Sequence, residues 1–226
     1  MIRVYIGTQP EQKLACEVLK YSITARATEP VSFFEITDKT NRYAMTGFSF
    51  ARWYVPKLAK ENGDQTAIYM DADIVVLGDI AALEHAAGEK PTLARPTSDG
   101  RYFTSVMRLN IARINWDVGG LLVDGFAGLP EWLHNAIMWA ASNSPWRADF
   151  GELSARWNDL DLVKDGTQAL HYTDLKRQPW RYAGHPFGYV WQAELKSALA
   201  DKAISMALVQ DEIARGHVRG DVLTVT

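Results

Sequence analysis

The feature that most constrains this chain stands at its very start, where strand, helix and strand signals follow one another without interruption. Ile2 to Ile6 is a β-branched and aromatic run ended by Gly7, the pattern of a buried strand. Leu14, Val18, Tyr21 and Ala25 then fall at i, i+4, i+7 and i+11, one face of a helix. Val31 to Ile36 is the next strand. Two strands joined by a helix of this length pair in parallel through a right-handed crossover. A third strand, Ala67 to Met70, runs into Asp71-Ala-Asp73. Between them, Phe48 to Leu58 is predicted to be helical, with Pro56 kinking or ending it. Asp79 to Ala87 is predicted as a short helix with Asp79 as its N-cap.

The second half is less regular. Pro91 to Arg95, Ser105 to Leu109 and Gln168 to Tyr172 are predicted strands. Leu133, Ala136, Ile137 and Ala140 mark a helix starting at Pro130. Trp191, Leu195, Ala198 and Leu199 mark another, and Ile204 to Ala214 a last one. Composition removes several function classes. The 226 residues carry 24 Lys+Arg against 27 Asp+Glu, a net charge of −3. A nucleic-acid partner is not expected, because phosphate-backbone affinity needs a clustered basic excess. Cys16 is the single cysteine, so neither an internal disulfide nor a cysteine zinc site is expected. No apolar run reaches the ~18–20 residues of a transmembrane segment. The run Met1 to Gly7 is too short for a signal peptide, and a reducing cytoplasm is the expected compartment.

An apolar strand ending in D-x-D is the sharpest local signal. In extended chain, residues i and i+2 project to the same side, so the carboxylates of Asp71 and Asp73 converge. Carboxyl ends of parallel strands border the ligand crevice. Two carboxylates there repel unless a proton or cation joins them. A divalent ion held through few protein oxygens usually also holds substrate phosphates. The same spelling recurs at Asp159-Leu160-Asp161 without a preceding strand, and that copy is read as a solvated loop or helix-entry pair. Asp71-Ala-Asp73-Ile-Val75 also fits the D-x-D-x-V signature of haloacid-dehalogenase-type phosphatases, whose first Asp is a covalent nucleophile. Those enzymes carry it on their first strand, and here it follows two others.

Four stretches match one family in order. Phe48-Ser-Phe-Ala-Arg52-Trp-Tyr-Val-Pro56-Lys-Leu58 and Ala67-Ile-Tyr-Met-Asp71-Ala-Asp73-Ile-Val-Val-Leu-Gly-Asp79-Ile80 resemble glycosyltransferase family 8, which includes the glycogenins and bacterial lipopolysaccharide galactosyltransferases. Leu153-Ser-Ala-Arg-Trp157-Asn158 and His171-Tyr-Thr-Asp-Leu-Lys176-Arg-Gln-Pro179-Trp180 are similar to two later motifs of that family. The resemblance covers roughly residues 1–182. It implies an α/β fold of GT-A type: a Rossmann-like, mixed and mainly parallel sheet flanked by helices. Residues 183–226 are expected as a helical C-terminal tail packed on the same domain.

The function that the resemblance implies is transfer of a hexose from a nucleotide-sugar donor, a UDP-hexose, to a glycan or other hydroxyl acceptor with retention. Mn²⁺ is the implied cofactor and Mg²⁺ the alternative. Asp71, Asp73 and His171 would hold the metal. Carboxylates with one imidazole suit a first-row transition ion better than Mg²⁺. Gly7, Thr8, Arg52, Asp71, Thr104 and Ser105 would contact the donor, and either Lys176 or Arg177 would grip its diphosphate. The sequence departs from the family where its lysine precedes Pro-Trp, since Gln178 stands there, and where its loop glycine is Asp174. The family's D-Q-D is absent, which leaves Asp149 as the nearest acid for a catalytic role. Two other readings compete: a relative that binds nucleotide or glycan without turnover, and the phosphatase. Trp53, Trp132, Trp139 and Trp191 are expected in the core. His85, His134, His185 and His217 are expected at the surface or as caps.

Overall fold

The computed structural model describes residues 1–37, 48–116, 139–140 and 143–224. The helix expected from Pro130, with Trp132 and His134, lies outside them. The first strand, β1 (Ile2–Gly7), is followed by helix α1 (Lys13–Thr24) and strand β2 (Val31–Ile36). β1 pairs with β2 in parallel from Ile2↔Val31 to Gly7↔Ile36, as the opening pattern requires. α1 buries Leu14, Ala15, Val18, Leu19 and Ile23, whereas Ala25 is its exposed C-cap residue. A tightened turn over Ala51–Tyr54 leads into helix α2 (Val55–Glu61). Pro56 therefore opens this helix instead of ending it, because a first-turn residue needs no N–H partner.

Strand β3 (Thr66–Asp71) lies beside β1 in parallel, with Gly7 opposite Asp71. After it come a short strand β4 (Ile74–Val76), helix α3 (Ile80–Glu84), and strands β5 (Thr92–Pro96) and β6 (Tyr102–Asn110). α3 is shorter than expected. Its end tightens where Ala86 N–H bonds to the Leu83 carbonyl, an i→i+3 closure. Strands β7 (Phe150–Glu152), β8 (Asp159–Leu160) and β9 (Ala169–His171) precede two terminal helices, α4 (Gly188–Ala200) and α5 (Met206–Ala214). The larger sheet has the order β2-β1-β3-β6-β5-β7 and is mixed, its β2-β1, β1-β3 and β5-β7 pairs being parallel.

By contacts the chain divides into two compact units, neither of them continuous in sequence. One holds 1–9, 29–71 and 81–157, and the other 10–28, 72–80 and 158–226. The first contains the six-stranded sheet and a core in which Trp53 meets Trp116, Trp146 and Phe150 at centroid distances of 4.8–6.2 Å. Trp139 is not part of it: the residue is 36% exposed, under the guanidinium of Arg101. The second unit is built on the small sheet β4-β9-β8, with α1, α4 and α5 contributing Leu14, Val18, Trp191, Leu195 and Val209 to one apolar cluster with Val75, Leu170 and Trp180. Among the described residues no helix is long and apolar enough to cross a membrane.

Candidate metal and donor site

β3 carries its last residue, Asp71, to the end of the larger sheet, where the carboxylate is 7% exposed. Both of its oxygens accept from Arg52 Nη2 at 3.1 Å, and Oδ1 also accepts from the Tyr69 hydroxyl. Arg52 Nη1 donates to Thr104 Oγ1 at 2.7 Å. Arg52 is therefore neither solvated nor snorkelled but buried at 5% exposure, its guanidinium 5.2 Å from the Tyr69 ring centroid. Tyr69 and Asp71 share a face as i and i+2 in one strand, so the ring leans along β3 to reach the carboxylate. It passes over Gly7, where an added Cβ would lie 2.1 Å from the Tyr69 hydroxyl. Gly7 is thus required by the path of an aromatic ring.

Thr104 and Ser105 are buried on β6. The pairing of β5 with β6 jumps there from Ala94↔Met107 to Arg95↔Phe103, a bulge of the kind that re-aims side chains beside sites. Thr8 follows β1. Its Oγ1 is buried and has no hydrogen-bond partner among the described residues, while its carbonyl accepts from Thr37. Asp149 is half-buried, and its Oδ2 accepts from Trp116 Nε1 at 2.7 Å. It thus stands against the indole wall.

In the second unit, Asp73 directly precedes β4 and His171 ends β9. These strands are antiparallel with His171 opposite Ile74, and the Tyr172 N–H bonds to the Asp73 carbonyl. His171 Nε2 is 3.2 Å from Asp73 Oδ1. Asn158 Oδ1 lies 3.0 Å from His171 Nδ1, and Gln178 donates to Asp73 Oδ2 at 2.9 Å. Tyr172 is fully buried with its hydroxyl on the Phe187 carbonyl, and burial pushes its ionisation well above the ordinary phenol range. Lys176 and Arg177 are exposed on the turn after β9, where Arg177 stacks over Tyr182. His185 is a buried cap that accepts from the Phe187 N–H, whereas His85 is largely exposed beside Glu29.

The second D-x-D corrects its sequence reading. Asp159 lies in β8 at 1% exposure, accepting from Thr167 Oγ1 and paired with Lys164. Asp161, at φ 50°, accepts from the backbone and hydroxyl of Thr173. The short strand β8 has no hydrophobic run of its own, so periodicity could not reveal it. Tyr69, Asn158 and Gln178 are the residues that sequence reasoning left without a site role.

Asp73 and His171 each offer one ligand atom, 3.2 Å apart, and Asp71 stands two residues before Asp73 at the end of β3. The set fits a divalent ion, since Asp73 Oδ1 is buried without a hydrogen bond and the donors are carboxylate oxygen and imidazole nitrogen.

Among solved structures, the chain is similar to the glycosyltransferase GlyE of Streptococcus pneumoniae TIGR4, at 13% identity and a TM-score of 0.65 over 96% of this chain and 64% of that one. It is also similar to the galactosyltransferase LgtC in complex with donor and acceptor sugar analogues, at 12% identity and a TM-score of 0.60, over 87% of this chain and 96% of that one. The fold is that of the GT-A glycosyltransferases. Among curated proteins, Protein CDI of Arabidopsis thaliana is 30% identical over 99 residues, 39% of this chain and 38% of that protein. The chain thus matches less than two thirds of the length of GlyE and of CDI. No protein-family profile matches it.

Proposed function

We propose that this protein is a metal-dependent glycosyltransferase that moves a hexose from a UDP-sugar to a hydroxyl of a glycan or other acceptor, with retention. The observation that carries this reading is the buried Asp71, Asp73 and His171 set on a GT-A fold. Those three residues would hold Mn²⁺, with Mg²⁺ as the alternative, and the bound ion supplies Lewis-acid stabilisation of charge on the leaving diphosphate. Arg52 and Tyr69 hold the Asp71 carboxylate in one orientation. Thr104 and Ser105 face the donor sugar, and the buried Thr8 hydroxyl, with Gly7 beside it, is offered to the nucleoside. Lys176 or Arg177 meets the diphosphate from the turn after β9.

The acceptor attacks from the face the diphosphate leaves, and its proton passes to the departing diphosphate oxygen. Asp149, whose carboxylate engages Trp116, is the acid to examine for a covalent role: a glycosyl adduct trapped on it would replace the same-face route. The phosphatase reading is disfavoured because Asp71 ends the third strand, β3, and not the first.

Thermal unfolding with UDP, Mn²⁺, both and neither tests the proposal. A ligand at 100 times its Kd adds about 2.7 kcal/mol, and each kcal/mol moves Tm by roughly 2–4 °C at this size. The expected result is a shift of about 5–11 °C that requires both components. Absence of any response to UDP or another nucleotide would overturn the donor assignment and favour a binding module.

A further inference from the structure

The small sheet brings four polar side chains to one end. Asn158 directly precedes β8, Asp73 directly precedes β4, His171 ends β9, and Gln178 lies in the turn that follows. All are buried, at 0%, 4%, 8% and 1% exposure respectively. Gln178 Nε2 donates to Asp73 Oδ2 at 2.9 Å and to the Tyr172 carbonyl at 3.3 Å. Both neighbours accept, so the amide must present its NH₂ group, and a carboxylate at this position could donate nothing. Asn158 Oδ1 is 3.0 Å from His171 Nδ1. An amide oxygen carries no proton, so Nδ1–H donates to it, and this holds the ring with Nε2 turned towards Asp73.

Nε2 faces Asp73 Oδ1 across 3.2 Å, and Oδ1 is buried without a hydrogen bond. A buried carboxylate oxygen opposed to an imidazole nitrogen is costly unless a proton or a metal cation joins them. Asp73 and His171 thus each have one polar atom held by an amide and the other turned to the partner.

We propose that Gln178 and Asn158 are positioning residues that set Asp73 Oδ1 and His171 Nε2 as a divalent-cation pair. The inference rests on the metal site proposed above and assigns what fixes it. Outer partners of this kind lock the imidazole tautomer and orientation, and their loss costs roughly 10–100-fold in metal affinity.

The test is Mn²⁺ binding by calorimetry and pulsed electron paramagnetic resonance on the full chain, with and without UDP. Wild type is expected to show ¹⁴N coupling from one imidazole. Asn158→Leu and Gln178→Met are expected to weaken Mn²⁺ roughly 10–100-fold, with the ¹⁴N coupling lost in Asn158→Leu. Asn158→Asp, which keeps the acceptor for Nδ1–H, restores both readouts, while Gln178→Glu does not. If the apolar variants fail to fold, Asn158→Ser and Gln178→Asn, which shorten the reach, take their place with the same expectation. Wild-type affinity and unchanged ¹⁴N coupling in the impaired variants would overturn the inference and leave the metal site standing. A wild type that binds Mn²⁺ in this pattern but transfers no sugar would keep the inference and overturn the transferase. No Mn²⁺ uptake under either condition would overturn the inference and the metal dependence together.

Discussion

Replacing Gly7 by alanine asks how tightly the first strand is coupled to the Asp71 carboxylate. The new Cβ would lie 2.1 Å from the Tyr69 hydroxyl and 2.9 Å from Phe48 Cδ2. Gly7 pairs with Asp71 in the sheet, so the backbone has little room to move and the ring must give. Overpacking of this kind costs about 1–3 kcal/mol. If the hydroxyl swings away, the bond to the carboxylate goes too, and hydrogen bonds to charged groups are worth about 1.5–3 kcal/mol. The expected loss is about 2.5–6 kcal/mol, a fall in Tm of roughly 5–24 °C. Tyr69→Phe removes the clashing oxygen in advance, so the double variant should be more stable than the summed single losses by at least about 1 kcal/mol. Equilibrium unfolding of the four proteins in urea measures this. Additivity within about 0.5 kcal/mol would refute the account and place the strain elsewhere.

Three further outcomes follow from other contacts. Arg52→Met leaves a buried carboxylate without its cation and should cost about 3–5 kcal/mol in denaturant unfolding, part of which Asp71→Asn in the same chain restores. Tyr5 is buried with its hydroxyl on Asp64, and burial first, then that carboxylate, pushes its ionisation up to about 12. The folded state therefore keeps a proton that the unfolded chain loses near pH 10. Stability falls as pH rises from about 10 to 12, by about 2–3 kcal/mol, and Tyr5→Phe flattens the fall in Tm measured against pH. Ser205 Oγ caps α5 by accepting from the Leu208 N–H at 3.2 Å; Ser205→Ala should lower stability by about 1 kcal/mol, read as the urea midpoint at constant slope.

Much of the larger sheet was legible because its strands are long enough to carry hydrophobic runs. β1, β2 and β3 show them, and the D-x-D at the end of β3 marked Asp71 and Asp73. Of the small sheet only β9 was legible, within Gln168 to Tyr172. β4 is three residues and β8 two, too short for a period, and they gain their place by pairing with β9. Asp159 therefore looked like a surface acid when it is a buried strut. Tyr69 did carry a signal, since it stands two residues before Asp71 on the same face of one strand. Asn158 and Gln178 carried none, because their partners lie 13 and 105 positions away. Pro56 misled because proline ends a helix from within yet begins one from its first turn, and only the boundary decides which.

Spelled symmetrically, Asp71 and Asp73 are electrically unlike. Asp71 is matched by a guanidinium, which cancels its charge, whereas Gln178 brings Asp73 one N–H group and no charge at all. At their ordinary charges Asp71, Asp73 and Arg52 together sum to about one negative charge. A dication balanced against one negative charge leaves one positive charge over. Under the proposed reading that surplus would be met by the diphosphate of the donor, and the Arg52 guanidinium sets its size.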